Sequence, residues 1–215
     1  MSNEERIKQI LSILEQTYPD ARPALNFDSP YQLLTAVILS AQCTDVKVNK
    51  VTPELFLHYP DPAALAAASV SDVEDIIRTC GLFHTKSRNL ITMASILTNQ
   101  YEGSVPDSRE ALEALPGVGR KTANVVLSCA FGKDAIAVDT HVFRVSNRLG
   151  LADASDVLKT EEQLMEHIPR NQWSRAHHWL IYHGRRICHA RNPACTDCPL
   201  HELCEYANGN AKGKK

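Results

Sequence analysis

The sequence LPGVGRKTANVV, Leu115–Val126, places two glycines in a turn and then begins an apolar helix with Arg120 and Lys121. Gly117 and Gly119 allow positive φ angles and let the backbone approach another molecule closely. Amides at the start of the second helix can bind a phosphate, and the helix dipole there disfavours a charged lysine. The pattern lacks the glycine spacing and preceding strand of a Walker A loop. A tight helical turn without a ligand is the alternative interpretation.

Helical patterns extend through most of the chain. Ile7, Ile10, Leu11 and Leu14 recur at the helical period, and one serine and one aspartate, Ser29 and Asp61, precede proline at expected helix starts. The strand-like segment AIAV, residues 135–138, is too short and isolated to build a sheet. We therefore expect this segment to be a connector and the fold to be all-α.

Length and composition limit the class of protein. The chain has 215 residues, 44% of them hydrophobic, which predicts one large or two small globular domains. The N-terminus lacks the features of a secretory signal, and no apolar run approaches the ~20 residues that span a bilayer. We therefore expect a cytoplasmic protein without a membrane partner.

Charge is distributed unevenly along the chain. Residues 1–110 contain nine Lys or Arg and fourteen Asp or Glu, a net charge of −5. Residues 111–215 contain fourteen basic and eleven acidic residues, a net charge of +3. The basic half contains the motifs, as expected for a nucleic-acid partner, although an ordinary solvated surface explains this distribution equally well.

Seven cysteines in a chain without an export signal indicate thiols or metal ligands rather than disulfides. Four of them fall within CHARNPACTDCPLHELC: Cys188, Cys195, Cys198 and Cys204. Their spacing alone leaves the metal open, because structural zinc sites usually show two close pairs, whereas four thiolates also suit a [4Fe–4S] cluster. Cys43, Cys80 and Cys129 lie in or beside apolar helical patterns and are interpreted as buried, unreactive thiols.

Three motifs in this order resemble the endonuclease III family of DNA glycosylases. LPGVGRKTANVVL resembles its helix-hairpin-helix, VDTHVFRVSNRLGL its catalytic aspartate segment, and the cysteine spacing its iron–sulfur loop. LNFDSPYQLLTAVILSAQCTD and CGLFHTKSRNL resemble its early segments, so the resemblance covers nearly the whole chain. It implies base-excision repair, with Lys121 as nucleophile, Asp139 as its carboxylate partner and a structural [4Fe–4S] cluster on the four clustered cysteines.

The implied chemistry explains why a lysine is useful in this place. An amine that attacks the sugar C1′ displaces the damaged base and stays joined as a Schiff base, which permits elimination of the 3′ phosphate. Attack requires the neutral amine, and the helix N-terminus and Arg120 favour that form. Asp139 precedes a helix and, on spacing alone, is an N-cap; the resemblance adds a role in stabilising positive charge on the sugar. His141 either assists at the DNA or only packs.

Further DNA contacts follow from the resemblance. The resemblance implies that Gln42 is the plug and Leu82 the wedge that fill the gap left by an extruded base. Sequence alone favours a helix-terminal core contact for Leu82. Arg191 lies in the cysteine loop, and Arg185 and Arg186 come just before the loop. The loop is therefore expected to contact DNA phosphates, with a merely solvated surface as the alternative.

The sequence thus predicts two helical lobes flanking a DNA-binding cleft. The central lobe, 22–132, contains the helix-hairpin-helix at about 108–130. The second lobe joins 1–21 to 133–211 and carries the iron–sulfur loop. Residues 212–215 are expected to form a disordered basic tail.

The expected activity is that of a DNA glycosylase and abasic-site lyase. Lys121 and Asp139 would face each other across the cleft of a monomer that binds double-stranded DNA carrying oxidised pyrimidines or abasic sites, in the bacterial nucleoid. An adenine glycosylase of the same superfamily is an alternative, but it generally lacks the hairpin lysine and carries an additional C-terminal domain. A non-enzymatic helix-hairpin-helix module is another; it would bind DNA without a covalent intermediate.

Overall fold

The computed structural model describes residues 1–209, and this part of the chain is helical without a strand. In chain order the α-helices are α1 (Asn3–Thr17), α2 (Pro30–Ser40), α3 (Asp45–His58), α4 (Pro62–Ala66), α5 (Val70–Ile77), α6 (Phe83–Gln100), α7 (Arg109–Glu113), α8 (Arg120–Phe131), α9 (Thr140–Leu149), α10 (Val157–His167) and α11 (Trp173–Arg186). Short 3₁₀ turns occupy Arg170–Gln172, Cys195–Asp197 and His201–Leu203. The all-α prediction is confirmed, and AIAV is a buried connector. The predicted tail at 212–215 lies outside the described residues.

Local capping decides where several helices begin. Ser2 and Glu5 form a reciprocal capping box at the start of α1, with bonds of 2.8 and 3.2 Å. Ser29 accepts a hydrogen bond from the amide of Gln32 and precedes a proline in the first turn of α2. The first turn of a helix leaves its backbone N–H groups without partners inside the helix. Proline has no N–H, so no hydrogen bond is lost when it lies there.

The chain divides into two compact units. One consists of Met1–Arg22 together with the described residues from Asp134 onward. Its core contains the apolar face of α1 and buried residues of α9 and α11, including Val142, Val145 and Leu180. Burial of each such side chain contributes about 1.5–3 kcal/mol, so this core fixes the start of α9.

The second unit spans Pro23–Lys133. Helix α2, whose residues Leu33, Leu34 and Leu39 are fully buried, packs against α3, α6 and α8. Helix α7 packs against α8, which holds the turn between them in place. Within residues 1–209 no helix is both long and apolar enough to cross a membrane.

Candidate functional site

The turn between α7 and α8 requires a glycine at position 117. Gly117 has a φ of +80°, and a Cβ atom added there would lie 3.1 Å from Nδ2 of Asn89 and 3.3 Å from Cγ2 of Ile38. The turn is closed by a hydrogen bond of 3.1 Å from the amide of Val118 to the carbonyl of Leu115. Both backbone conformation and packing therefore disfavour a side chain at Gly117.

Gly119 differs from Gly117, and the expectation of positive φ at both glycines is wrong for Gly119. Its φ of −103° and ψ of 178° are extended values that any residue adopts, because it is the N-cap of α8. A Cβ atom added there would meet nothing within 4 Å. Neither backbone angles nor neighbouring atoms of the described chain explain a glycine here. The open space at Gly119 is suited to a molecule that approaches the backbone closely.

Lys121 is exposed in the first turn of α8, directly after the half-buried Arg120. Gly119 supplies no side-chain cap, and the first turn contains no acidic residue. Amides of this turn therefore combine with two cationic side chains in one positive region. The opposite face of α8 is anchored by the buried residues Ala123 and Val126.

Asp139 caps α9, as its spacing predicts. Its Oδ1 accepts hydrogen bonds of 2.8 Å from the amides of both His141 and Val142. The carboxylate is half-buried, and the preceding residues 135–138 are buried. These bonds hold the carboxylate in one orientation at the start of the helix.

His141 belongs to a polar network that the sequence did not predict. Its Nδ1 lies 3.2 Å from Nη2 of Arg144, and that nitrogen also donates to the carbonyls of Gly184 and Cys188, at 3.0 Å each. Burial lowers the pKa of His141, and the nearby Arg144 and Arg185 lower it further, while Asp139 raises it. Arg144 thus joins α9 to the end of α11 and to the first cysteine of the loop. No sequence signal distinguishes Arg144 from an ordinary surface arginine.

Leu82 is 58% exposed, so the core contact that sequence alone favoured is wrong. It has a φ of +60° and precedes α6 without a side-chain capping bond. Gln42 is likewise exposed with a φ of +52°. For residues with a Cβ these left-handed conformations are strained, and they concentrate at functional sites.

The turns that carry Gln42 and Leu82 touch each other. A Cβ atom added at Gly81 would lie 3.3 Å from the carbonyl oxygen of Gln42, closer than ordinary van der Waals contact. The absence of a side chain at Gly81 lets these turns meet. The structure therefore brings the predicted plug and wedge residues together on one surface of the second unit.

The four clustered cysteines line one pocket. These residues are Cys188, Cys195, Cys198 and Cys204. Zinc binds thiolate sulfur at about 2.3 Å, so one tetrahedral zinc would draw its four ligand sulfurs to within roughly 4 Å of one another. Among the described residues, no three of these sulfurs lie within 4.8 Å of one another. The wider arrangement fits a cluster with four thiolate ligands better than one zinc ion.

Polar groups from both α9 and α11 contact these thiols. Nε2 of His183 lies 3.6 Å from Sγ of Cys198, and its Nδ1 lies 2.9 Å from the hydroxyl of Tyr18. Arg148 donates to Sγ of Cys188 at 3.5 Å. Burial lowers the pKa of His183 to about 4, so its ring is neutral near pH 7. His183 therefore links the loop to α1 through a buried contact that the sequence analysis missed.

The three arginines of the expected basic loop have different surroundings. Arg191 is exposed within the loop, as is Arg185 before it. Arg186 instead pairs with Asp20 at 2.9 Å and stacks over the ring of Tyr182 at 4.5 Å. Arg186 is thus engaged in holding α11 to the residues after α1, which leaves Arg191 as the better candidate for a phosphate contact.

Comparison with known proteins identifies two regions of the chain. Residues 35–170 match the model of the HhH-GPD superfamily base excision DNA repair proteins, which is most of the chain. Residues 188–204, which begin and end with a cysteine, match the iron–sulfur binding domain of endonuclease III.

Curated relatives match over nearly their whole length. Endonuclease III of Escherichia coli strain K12 is 49% identical over 204 residues, 95% of this chain and 97% of that protein. Endonuclease III of Bacillus subtilis strain 168 is 44% identical over 216 residues, 100% of this chain and 98% of that protein.

Two solved structures have the same fold. A trapped endonuclease III–DNA covalent intermediate is 46% identical with a TM-score of 0.91, covering 99% of this chain and 100% of that chain. A thermostable thymine-DNA glycosylase is 26% identical with a TM-score of 0.87, covering 95% of this chain and 98% of that chain.

Proposed function

This chain belongs to the HhH-GPD superfamily of base excision DNA repair proteins, in its endonuclease III family, and we propose that it excises oxidised pyrimidines from duplex DNA and then cleaves the abasic site. The observation that carries the proposal is Lys121, exposed in the first turn of α8 after a turn that leaves its backbone open. A similar protein over 99% of this chain has been trapped covalently on DNA.

Lys121 is the proposed nucleophile. Its neutral amine attacks the sugar C1′, the bond to the base breaks, and the base leaves with the electron pair of that bond and takes up a proton. The bond between C1′ and the ring oxygen of the sugar then breaks, the ring oxygen takes up a proton, and a protonated Schiff base remains on Nζ. This cation draws electrons from the adjacent carbon, so a proton is lost there and the 3′ phosphate is eliminated. Hydrolysis of the Schiff base then returns the free amine.

Arg120 and the open backbone at Gly119 are proposed to hold the phosphate of the damaged strand. Amides in the first turn of α8 can donate to its oxygens, and the guanidinium supplies a positive charge. The close approach depends on position 119 having no side chain.

Asp139 is proposed to act through its charge as well as its cap. The two amides that bind Oδ1 orient the carboxylate without a need for reorganisation during the reaction. Such a fixed negative charge stabilises the positive charge that develops on the sugar as the base leaves. His141, next to it, is proposed to contact the DNA strand as a neutral ring.

Gln42 and Leu82 are proposed to occupy the space left by the extruded nucleotide. Leu82 offers an exposed apolar side chain that can wedge between bases, and Gln42 offers an amide for the unpaired partner base. Strained backbone at both positions holds these side chains outward at the surface. Extrusion brings the damaged nucleotide within reach of the nucleophile.

The cofactor is a [4Fe–4S] cluster, and we propose that the four cysteines that line the pocket are its ligands. A cluster held by four protein thiolates leaves no ligand position for the substrate, so it serves the structure of the loop. Arg191 of that loop is the proposed phosphate contact.

We propose that each lobe predicted from the sequence contributes one catalytic residue. Lys121 comes from the central lobe, 22–132, and Asp139 from the second lobe, which joins 1–21 to 133–211. We propose that the protein acts as a monomer in the bacterial cytoplasm, on DNA of the nucleoid.

A panel of duplexes, each with one defined lesion, tests this function directly. We expect base release and strand cleavage with oxidised pyrimidines and with abasic sites, and no release from undamaged duplex. Excision of mispaired adenine instead would indicate the adenine glycosylase. Binding without any product would indicate a non-enzymatic module.

A further inference from the structure

Two cysteines outside the cluster loop flank the touching turns of Gln42 and Leu82. Cys43 follows Gln42 directly, and Cys80 precedes Gly81, where an added Cβ atom would lie 3.3 Å from the carbonyl oxygen of Gln42. Short hydrogen bonds hold each cysteine backbone in its own turn: the amide of Cys80 donates at 2.8 Å to Ile77, and that of Cys43 at 3.1 Å to Ser40. The two thiols therefore belong to separate segments that meet at this contact.

The side chains of this pair also meet. The Cys80 thiol is within hydrogen-bonding reach of the Cys43 thiol, and burial, followed by that hydrogen bond, raises the pKa of Cys80 to about 11. Cys80 is only 1% exposed, whereas Cys43 is half-buried and open in part to solvent, unlike the fully buried thiol that the sequence predicted. Cys43 is thus the more accessible residue of the pair.

A buried cation lies beside this pair. Lys86 is 4% exposed, and its Nζ donates a hydrogen bond of 2.7 Å to the carbonyl of Leu39. Burial lowers the pKa of Lys86. The charge of Lys86 interacts with both cysteines, Cys43 and Cys80. A neighbouring ammonium stabilises a thiolate, which is the form of cysteine that reacts with disulfides. The surroundings supply an accessible thiol, a nearby partner and a cation.

We propose that Cys43 and Cys80 form a reversible disulfide that tethers the turn of Gln42 to the turn of Leu82 and weakens binding of damaged DNA. The effect on binding rests on the function proposed above for these two turns, whereas formation of the bond does not. Disulfides in cytosolic proteins of mesophiles are usually transient and sense redox state.

The oxidant in this proposal is a low-molecular-weight disulfide such as oxidised glutathione. The Cys43 thiolate attacks one sulfur of the oxidant, forms a mixed disulfide and releases one reduced thiolate. Cys80 then loses its proton and attacks Cys43 Sγ, releasing the second reduced thiolate. Two cysteine thiols are oxidised and one disulfide is reduced to two thiols, so atoms and electrons balance.

The tether restricts movement of two segments that insert into DNA. The bond brings the sulfurs to about 2.0 Å and sets their dihedral angle, so neither turn can adjust by itself. Contact between Gly81 and Gln42 leaves little room for compensation. A change at one site of a protein that is coupled to a second site typically changes the binding affinity of the second site about 5- to 150-fold.

The test uses the complete protein with its cluster, incubated without oxygen with oxidised glutathione. Peptide mapping under non-reducing conditions identifies the linkage, and the visible absorbance of the cluster verifies that it stays intact. Binding to a duplex with one oxidised pyrimidine is then measured before oxidation, after oxidation and after dithiothreitol. Cys43→Ser cannot form the bond, and Cys129→Ser is a matched control elsewhere in the same unit.

We expect a Cys43–Cys80 linkage in wild type and in Cys129→Ser, with binding at least about fivefold weaker and restored by reductant. Cys43→Ser should keep its affinity throughout. A peptide map without this linkage would overturn the proposal, as would a linkage that leaves binding unchanged. Failure of the reduced protein to bind or excise would count against the proposed function instead, and the peptide map separates that case.

Discussion

Oδ1 of Asp139 accepts a hydrogen bond of 2.8 Å from the amide of His141, two residues into the helix that this carboxylate caps. A second bond of the same length comes from Val142. The carboxylate thus has a structural task that asparagine performs about as well, since both side chains are good N-caps. Substitution by asparagine therefore separates the cap from the charge.

Asp139→Asn should fold with a melting temperature within a few degrees of wild type, consistent with a change of at most about 1 kcal/mol. It should lose base release about 100-fold or more, as when one preorganised electrostatic group is removed. Asp139→Ala should in addition be less stable by about 0.5–2 kcal/mol, because the cap is lost. Single-turnover excision beside a melting curve measures both effects. Excision by Asp139→Asn close to that of wild type would make the residue a cap alone.

Substitutions of the two glycines of the hairpin, Gly117 and Gly119, should have different effects on stability and on DNA binding. Gly117→Ala should destabilise the protein by about 1–2 kcal/mol, because alanine is disfavoured at positive φ. Gly119→Asn should keep the stability, because asparagine is a good N-cap and the space at this position is open. Its side chain should nevertheless weaken duplex binding by obstructing the phosphate. Normal binding by Gly119→Asn would show that the backbone there is not approached by DNA.

Leu82→Asn should leave stability within about 1 kcal/mol of wild type, since asparagine tolerates the left-handed conformation and Leu82 buries little surface. Binding and excision at a single lesion should fall, because the wedge is lost. Leu57→Asn is the matched control: this leucine of α3 is 79% exposed and has no proposed role. Equal losses in both variants would remove Leu82 from the mechanism.

The purified protein should be brown and contain about four iron atoms per chain, as a [4Fe–4S] cluster requires. Cys195→Ser should lose colour and iron, whereas Cys129→Ser should retain both. Elemental analysis with the visible spectrum checks this expectation. Colourless wild-type protein with stoichiometric zinc would contradict the assignment.

Local interactions made part of this account predictable from the sequence. The cap at Asp139 involves residues two and three positions apart, and the turn at Gly117 depends on its own backbone angle. The connector at 135–138 was predictable because four residues without a neighbouring strand cannot form a sheet. Such features depend little on the rest of the fold.

Other features depend on contacts between distant segments, and the sequence did not predict them. Arg144 reaches carbonyls 40 and 44 positions away, and His183 contacts both Tyr18 and Cys198. Leu82 is exposed and has a left-handed backbone conformation, whereas its apolar side chain alone suggested burial. Neither hydrophobic periodicity nor motif spacing contains this information.

Covalent trapping on DNA tests the central claim most directly. Borohydride reduces a Schiff base to a stable amine, so wild-type protein incubated with a damaged duplex should become linked to the DNA. Lys121→Gln should bind the same duplex without being trapped, whereas Lys133→Gln, which changes an exposed lysine just beyond α8, should be trapped like wild type. Trapping of Lys121→Gln at the wild-type level would contradict the account, because another amine would then be the nucleophile.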